Sequence, residues 1–209
     1  PIVQRHVDVF QTLGFKVDLN AVNFAERPEI PNSVKEILGE SNQKLIGIAP
    51  FAQYESKIYP IDLMQNVVAL LSQNKDYKII LFGGGAKEKA LLDALSDGFE
   101  NVSNLAGKIP FKDELQLIAN LDVMLSMDSG NAHIAAMYGV KVVTIWGATH
   151  PFAGFMPFNQ PMEYAITANR NEYPLLPTSI YGNKIVPGYE EAMRSISPIE
   201  IVDKVKSII

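Results

Sequence analysis

Short apolar runs alternate with helical patterns through the middle of the chain. Each run has the length of a buried strand, and between the runs apolar residues recur every three or four positions. Strands that are apolar throughout are typical of a parallel sheet with helices on both faces. The sequence therefore predicts an α/β fold of this kind. The strand runs are KLIGIAP (44–50), YKIILF (77–82), DVMLSM (122–127) and VKVVTIW (140–146), and the helical stretches are 61–73, 86–96, 111–120 and 131–138.

The segment before residue 44 has a less regular pattern. Apolar spacing predicts a helix over residues 4–13, and residues 15–19 have the composition of a short strand. A connector with two prolines follows. Ser33 and Glu36 have the spacing of a capping box, which predicts a second short helix that ends at Gly39.

The pattern breaks again after the last strand run. Residues 148–190 are rich in proline and turn residues, which predicts a long, loop-rich excursion. A closing helix over 198–208 is then predicted, because Ser197 can cap it and Pro198 suits its first position.

Composition excludes several classes of function. The chain has 18 Lys and Arg against 23 Asp and Glu, a formal charge of −5, and it lacks the basic tracts that a nucleic-acid binder needs. No apolar run approaches the length of about 18 residues that a membrane span requires. The sequence contains no cysteine, which excludes disulfides and thiolate chemistry and favours the cytoplasm. No His, Asp and Glu grouping has metal-ligand spacing, so no metal or other cofactor is expected.

Glycines and small polar residues follow the strand runs, at the sheet edge where parallel α/β proteins bind ligands. The most informative segment is SMDSGNAH (126–133). Asp128 or Ser129 can cap the next helix, Gly130 permits close approach, and free N–H groups in that first turn would bind an anion. His133 follows in the same turn. A plain capped helix with a hydrogen-bonded histidine is an equally good interpretation of this segment alone.

Three common enzyme motifs are not matched. Asp128-Ser129-Gly130 occurs once in an α/β pattern, whereas aspartic proteases need two such carboxylates in a β fold. A hydrolase elbow requires glycine two residues before its serine, and that position is Met127. In FGGGAKE (82–88) the third glycine of a dinucleotide fingerprint is replaced by Glu88, so a dehydrogenase is disfavoured. This turn is either a tight strand-to-helix connection or a nucleotide-facing loop in which Glu88 reaches ribose hydroxyls.

Lys57 lies in a polar loop after the first strong strand run. Most such lysines are solvated, and the functional alternative is a point charge that clamps a diphosphate. Of the other two histidines, His6 is expected at the surface or in an interface, and for His150, next to Pro151, a structural and a functional role both remain open.

Five loop elements in the same order resemble the C-terminal domain of glycosyltransferase family 9, the ADP-heptose:lipopolysaccharide heptosyltransferases. The resemblance spans residues 44 to 150, and the Asp-Ser-Gly-x-x-His element is its most specific part. The elements are Pro50 with Lys57-Ile58-Tyr59-Pro60, Gly83 to Glu88, Asn104 to Gly107, Asp128 to His133, and Trp146 to Thr149.

The resemblance implies a binding role for individual residues. Lys57 and the backbone of Ser129 and Gly130 would hold the diphosphate of an ADP-sugar. Glu88 would reach the ribose, and the backbone near Ile109 would meet the adenine. Asp128 and His133 would lie towards the sugar end of the diphosphate.

The resemblance also implies the organisation of the whole enzyme. The chain looks like the Rossmann-like, donor-binding half of a GT-B fold, with residues 1–40 as the interdomain connection and first helices and 41–209 as the nucleotide-sugar-binding domain. The catalytic base would belong to an N-terminal domain that this chain lacks. An enzyme of this kind transfers heptose or a related sugar to a lipopolysaccharide core acceptor. Such an enzyme can be peripheral to the inner membrane. A nucleotide-sugar 2-epimerase and a non-catalytic nucleotide-sugar-binding module remain alternatives.

Overall fold

The computed structural model describes residues 1–39 and 42–209, and these contain seven α-helices and six β-strands. The predicted domain boundary between residues 40 and 41 lies outside the described residues. Short 3-10 helices occur at Glu55–Lys57, Pro151–Ala153, Met162–Tyr164 and Ala192–Ser195. The helices are α1 (Ile2–Thr12), α2 (Asn32–Leu38), α3 (Ile61–Ser72), α4 (Gly85–Ser96), α5 (Phe111–Ile118), α6 (Gly130–Met137) and α7 (Pro198–Ile208). The strands are β1 (Lys44–Ala49), β2 (Tyr77–Leu81), β3 (Val102–Asn104), β4 (Val123–Met127), β5 (Lys141–Trp146) and β6 (Ala165–Thr167).

The six strands form one parallel sheet in the order β3-β2-β1-β4-β5-β6. This order confirms the predicted α/β fold and is that of Rossmann-like sheets. The excursion is not wholly irregular, because β6 lies within it and pairs with β5 from Thr144 to Trp146. A strand of three residues is too short for a periodicity signal, which is why the sequence pattern did not reveal it.

Alternate residues of the four central strands pack into two hydrophobic cores, one on each face of the sheet. On β4, Val123 and Leu125 belong to the core under α3, α4 and α7, whereas Met124 belongs to the core under α2, α5 and α6. Both faces of a central strand are therefore dry, which explains why its sequence is apolar throughout rather than alternating.

Two predictions for the N-terminal segment are wrong. Residues 15–19 pair with none of the strands that the structure describes, and Phe15 is exposed. Ser33 does not cap α2. It lies inside the helix, which begins at Asn32, and its hydroxyl donates a hydrogen bond to Asp113 of α5. Gly39 does end α2, with the positive φ of 74° that glycine accepts without strain.

The closing helix is confirmed. α7 begins at Pro198, and the hydroxyl of Ser197 accepts the Ile199 N–H at 3.2 Å. None of the helices within residues 1–39 and 42–209 is long and apolar enough to cross a membrane.

Candidate functional site

The crevice of the sheet opens between the carboxyl ends of β1 and β4. From β1 the chain builds the sheet outwards through β2 and β3, and from β4 it builds in the opposite direction, so loops diverge at this point. Two pockets meet there, of about 310 and 260 Å³, and Gln53, Ser129 and Gly130 line both. They form one groove with two lobes, and we call the larger lobe the glycine pocket and the smaller lobe the lysine pocket.

The glycine pocket lies over the turn between β2 and α4. Glu88 accepts the N–H of Gly84 at 2.8 Å, so this carboxylate fixes the turn while lining the pocket. A side chain at Gly83 would bring its Cβ within 2.8 Å of Leu92, which explains why glycine stands at that position. The pocket is lined by Ala49, Phe51, Ala52, Gln53, Phe82, Gly83, Gly84, Glu88, Glu114, Ser129, Gly130 and Asn131.

Glu114 is a pocket residue that the sequence analysis missed. It lies in the first turn of α5 and lines the glycine pocket together with Glu88. Burial raises the pKa of its carboxyl group above the ordinary value. Phe51, Ala52 and Gln53 of the loop after β1 line the same pocket, and this proximity between distant segments is not visible in the sequence of α5.

The loop that precedes Ile109 is held by Asn104. Its Nδ2 donates to Asp93 at 2.8 Å and its Oδ1 accepts the Ala106 N–H at 2.9 Å. Gly107 then turns the chain with φ of 70°. Ile109 packs its side chain against the core under α5 and is outside the lining of both pockets, so its contact with adenine stays a prediction.

The junction of the two pockets is the N-terminus of α6. Ser129 is the N-cap by position, but its hydroxyl pairs with that of Ser126 at 3.0 Å. The Asp128 carboxylate contacts Lys57 and Thr149 instead of the helix N-terminus. The predicted side-chain cap from Asp128 or Ser129 is therefore wrong. Gly130 lines both pockets, and the unpaired N–H groups of the first helical turn favour an anion at this end of the helix.

Lys57 and Asp128 form an ion pair at the wall of the lysine pocket. Lys57 Nζ lies 2.8 Å from Asp128 Oδ2, and only 13% and 9% of the two side chains is exposed. The Thr149 hydroxyl donates to the same Oδ2 at 2.8 Å. Lys57 is therefore not a solvated loop lysine, and the charge it presents to the pocket is held in place by a carboxylate and a hydroxyl.

His133 and His150 have different positions. His133 lines the lysine pocket from α6, and its pKa is lowered by burial, an effect that the nearby Asp128 opposes and Lys57 reinforces. His150 lies outside both pockets and accepts the Phe152 N–H through Nδ1 at 3.2 Å, which starts a 3-10 helix. His6 is exposed on α1, as predicted.

The excursion contributes the outer wall of the lysine pocket, which the sequence analysis did not anticipate. Phe155, Ile180 and Tyr181 line it opposite the sheet edge. The Ser56 hydroxyl donates to the carbonyl of Gly182 at 2.5 Å and ties this wall to the loop that carries Lys57. No sequence pattern within residues 148–190 indicated this wall.

Comparison with known proteins supports one family. The sequence profile of Glycosyltransferase family 9 (heptosyltransferase) matches residues 1–184. The chain is 26% identical to lipooligosaccharide heptosyltransferase 2 of Campylobacter jejuni over 175 residues, which cover 81% of the chain and 52% of that protein. It is 28% identical to lipopolysaccharide heptosyltransferase 3 of Escherichia coli K12, over 71% of the chain and 44% of that protein. The chain thus spans about half the length of the curated relatives it matches.

Solved structures show the same fold. A family 9 glycosyl transferase from Veillonella parvula matches 96% of the chain and 57% of its own length with a TM-score of 0.72 at 17% identity. The E. coli ADP-heptose lps heptosyltransferase II matches 84% of the chain and 49% of its own length with a TM-score of 0.63 at 20% identity. Since the profile covers most of the sequence and the parallel sheet carries the predicted loops at its carboxyl edge, the chain belongs to glycosyltransferase family 9, the heptosyltransferases.

Proposed function

We propose that this chain is the donor-binding half of an inverting glycosyltransferase, which transfers heptose or a related sugar from an ADP-sugar to a lipopolysaccharide core acceptor. Family membership supports the reaction class, and the relatives' names support the acceptor. One related structure, the E. coli heptosyltransferase WaaC, is described with ADP. Because such an acceptor carries a lipid, we expect the whole enzyme to work in the cytoplasm, peripheral to the inner membrane.

The observation that carries this proposal is the position of the Lys57–Asp128 pair beside the open N-terminus of α6. The helix N-terminus lies where the two pockets meet, and the ion pair lines the lysine pocket beside it, so a ligand that filled both pockets would have its middle at the helix N-terminus. An ADP-sugar has its two negative charges in the middle, with a nucleoside on one side and a sugar on the other. The nucleoside would fill the glycine pocket with its ribose at Glu88, and the sugar would fill the lysine pocket.

In the proposed reaction, the acceptor hydroxyl oxygen attacks the anomeric carbon of the donor sugar from the side opposite the diphosphate. The bond between that carbon and the diphosphate oxygen breaks, and its electron pair leaves with ADP. Lys57 and the N–H groups of Gly130 and its neighbours stabilise the growing negative charge. A charge pair at about 4 Å is worth roughly 4 kcal/mol at an effective dielectric constant of 20, before desolvation is subtracted.

The hydroxyl proton must pass to a base, and we expect that base in the part of the relatives' length that this chain does not span. Residues 1–40 would then be the connection between two domains, and 41–209 the nucleotide-sugar-binding domain. Val9 and Phe10 of α1 and Leu13 just after it support a connecting role for this segment, because these apolar residues are more than half exposed among the described residues.

A comparison of ADP, UDP and GDP as ligands of the 209-residue chain tests this proposal. A ligand that binds only the native state raises its melting temperature, and we expect the largest rise with ADP. A larger rise with UDP would favour a UDP-sugar enzyme. If none of the three nucleotides changed the melting temperature at millimolar concentration, the groove would not be a nucleotide site.

A further inference from the structure

The lysine pocket has two chemically different sides. Its inner side is polar and comes from the sheet edge, with Lys57, Asp128 and His133. Its outer side is apolar and comes from the excursion, where the rings of Phe155 and Tyr181 lie 5.7 Å apart at an interplanar angle of 53°. We call Phe155, Ile180 and Tyr181 the aromatic wall.

Ile180 and Tyr181 of the aromatic wall are fixed to the rest of the domain by hydrogen bonds on either side of them. The N–H of Thr178 donates to the carbonyl of Ala148 at 2.9 Å, just after β5. On the other side, the carbonyl of Gly182 accepts the Ser56 hydroxyl. These bonds hold Tyr181 beside the polar side of the pocket, although 61% of the residue is exposed.

A polar side opposed by an aromatic side matches the surface of a sugar ring. Sugar hydroxyl groups suit carboxylate, ammonium and imidazole partners, whereas the C–H faces of the ring suit an aromatic surface. The glycine pocket differs, because its charged side chains are the two carboxylates Glu88 and Glu114 and the aromatic wall is not part of its lining. The two lobes thus favour different parts of one ligand.

We propose that Tyr181, supported by Phe155, contacts the transferred sugar of the donor, and that selectivity among ADP-sugars is determined at this wall. This inference rests on the proposed function. It assigns a role to the excursion, and it separates recognition of the sugar from recognition of the nucleotide. Substitutions at the wall then affect the affinity for a nucleotide-sugar and leave the affinity for the nucleotide unchanged.

Calorimetric titration of the 209-residue chain with ADP, ADP-heptose and ADP-glucose tests the inference. For Tyr181→Ala we expect the Kd for ADP to stay within about twofold, and the Kd for ADP-heptose to rise by about threefold to tenfold, the range of one aromatic contact. The ratio of the ADP-heptose and ADP-glucose affinities moves towards one. Tyr181→Phe keeps the ring and retains most of the affinity.

Phe152→Ala is the matched control. This side chain is another exposed aromatic residue of the excursion, 76% accessible, but it lies outside both pockets, so its removal leaves all three affinities unchanged. An equal loss of ADP and ADP-heptose affinity in Tyr181→Ala would show a purely structural role and overturn the inference, as would unchanged ADP-heptose affinity. If the unmodified chain did not bind ADP, the proposed function would fail first and this inference with it.

Discussion

The backbone of Gly182 lies against the aliphatic stem of Lys57. A Cβ added at Gly182 would come within 2.8 Å of Cγ and Cδ of that lysine, and the residue has a φ of 75° that only glycine adopts readily. A turn far away in the sequence therefore helps to set the position of the ammonium group that meets Asp128. The excursion is part of the site, because it limits where Lys57 can go.

Gly182→Ala is expected to displace Lys57 and weaken nucleotide binding. The substitution introduces backbone strain of about 1–2 kcal/mol and an overlap in the middle of the lysine stem, where rotation of the chain end gives little relief. Gly188→Ala is the control, since Gly188 also has a positive φ, of 85°, but a Cβ there meets nothing within 4 Å.

Both variants lose stability in urea denaturation, and only Gly182→Ala also loses affinity for ADP in calorimetry. Equal affinity for ADP in the two variants would mean that Lys57 does not depend on Gly182 for its position.

Removal of the Lys57 charge is expected to lower the stability of the protein as well as its catalytic rate. Lys57→Met keeps the stem that packs on Gly182 but leaves Asp128 poorly exposed and without its cation. Breaking a fully buried pair costs about 3–5 kcal/mol, and we expect about 2–3 kcal/mol here because both side chains keep some solvent and Thr149 remains. In a full-length enzyme the same change lowers kcat by about a hundredfold to a thousandfold.

Lys89→Met serves as the comparison, since Lys89 pairs with Asp93 at 2.6 Å on the surface, where both side chains are nearly half exposed. Exposed pairs contribute little, so this variant unfolds at nearly the same urea concentration as the unmodified chain. A Lys57→Met variant with normal stability and normal turnover would remove Lys57 from the site.

His133 makes the stability of the fold dependent on pH in a predictable direction. Its pKa in the native state is below the ordinary value of about 6.5, mainly because the imidazole is buried. The unfolded chain therefore takes up this proton first as the pH falls, so the contribution to stability is complete above about pH 6.5 and is lost below it. Between pH 7.5 and pH 5, the free energy of unfolding of His133→Asn is expected to decrease less than that of the unmodified chain.

Burial also lowers the pKa of His150, so part of the pH dependence stays in His133→Asn. Urea titrations at several pH values measure both proteins. If the free energy of unfolding of His133→Asn fell with pH as steeply as that of the unmodified chain, the His133 imidazole would titrate equally in the native and unfolded states.

Sequence patterns predicted the strands that are buried on both faces. They missed features that depend on contacts between residues far apart in the sequence. The runs that became β1 and β4 are apolar because both of their faces are covered, so their composition alone identifies them. Motif order also located the groove, since the carboxyl ends of parallel strands share one edge. Ser129 looked like a helix cap by local spacing, yet its hydroxyl bonds Ser126 and the helix end stays open. Tyr181 had no local signal, because its position at the lysine pocket depends on where the excursion returns.

The 209-residue chain is expected to form a stable domain by itself. Its sheet has a core on each face, and α7 completes one of them with Ile201, Val202 and Val205, so we expect it to fold independently. The groups expected to hold the diphosphate are Lys57 and the backbone at the start of α6, which all belong to this chain, so we expect it to bind ADP without help. The affinity is expected to be weak, with a Kd on the order of 100 μM or higher, because an open groove leaves much of the ligand in water.

Sugar transfer by this chain alone should be undetectable. Transfer requires an oriented acceptor and a base, and these two contributions are together worth several orders of magnitude in rate. Calorimetric titration with ADP and an assay of ADP-heptose consumption with a lipopolysaccharide core acceptor test the two expectations separately. Rapid transfer by the purified chain would contradict the assignment of the base to another part of the enzyme and would place the acceptor site on the 209 residues themselves.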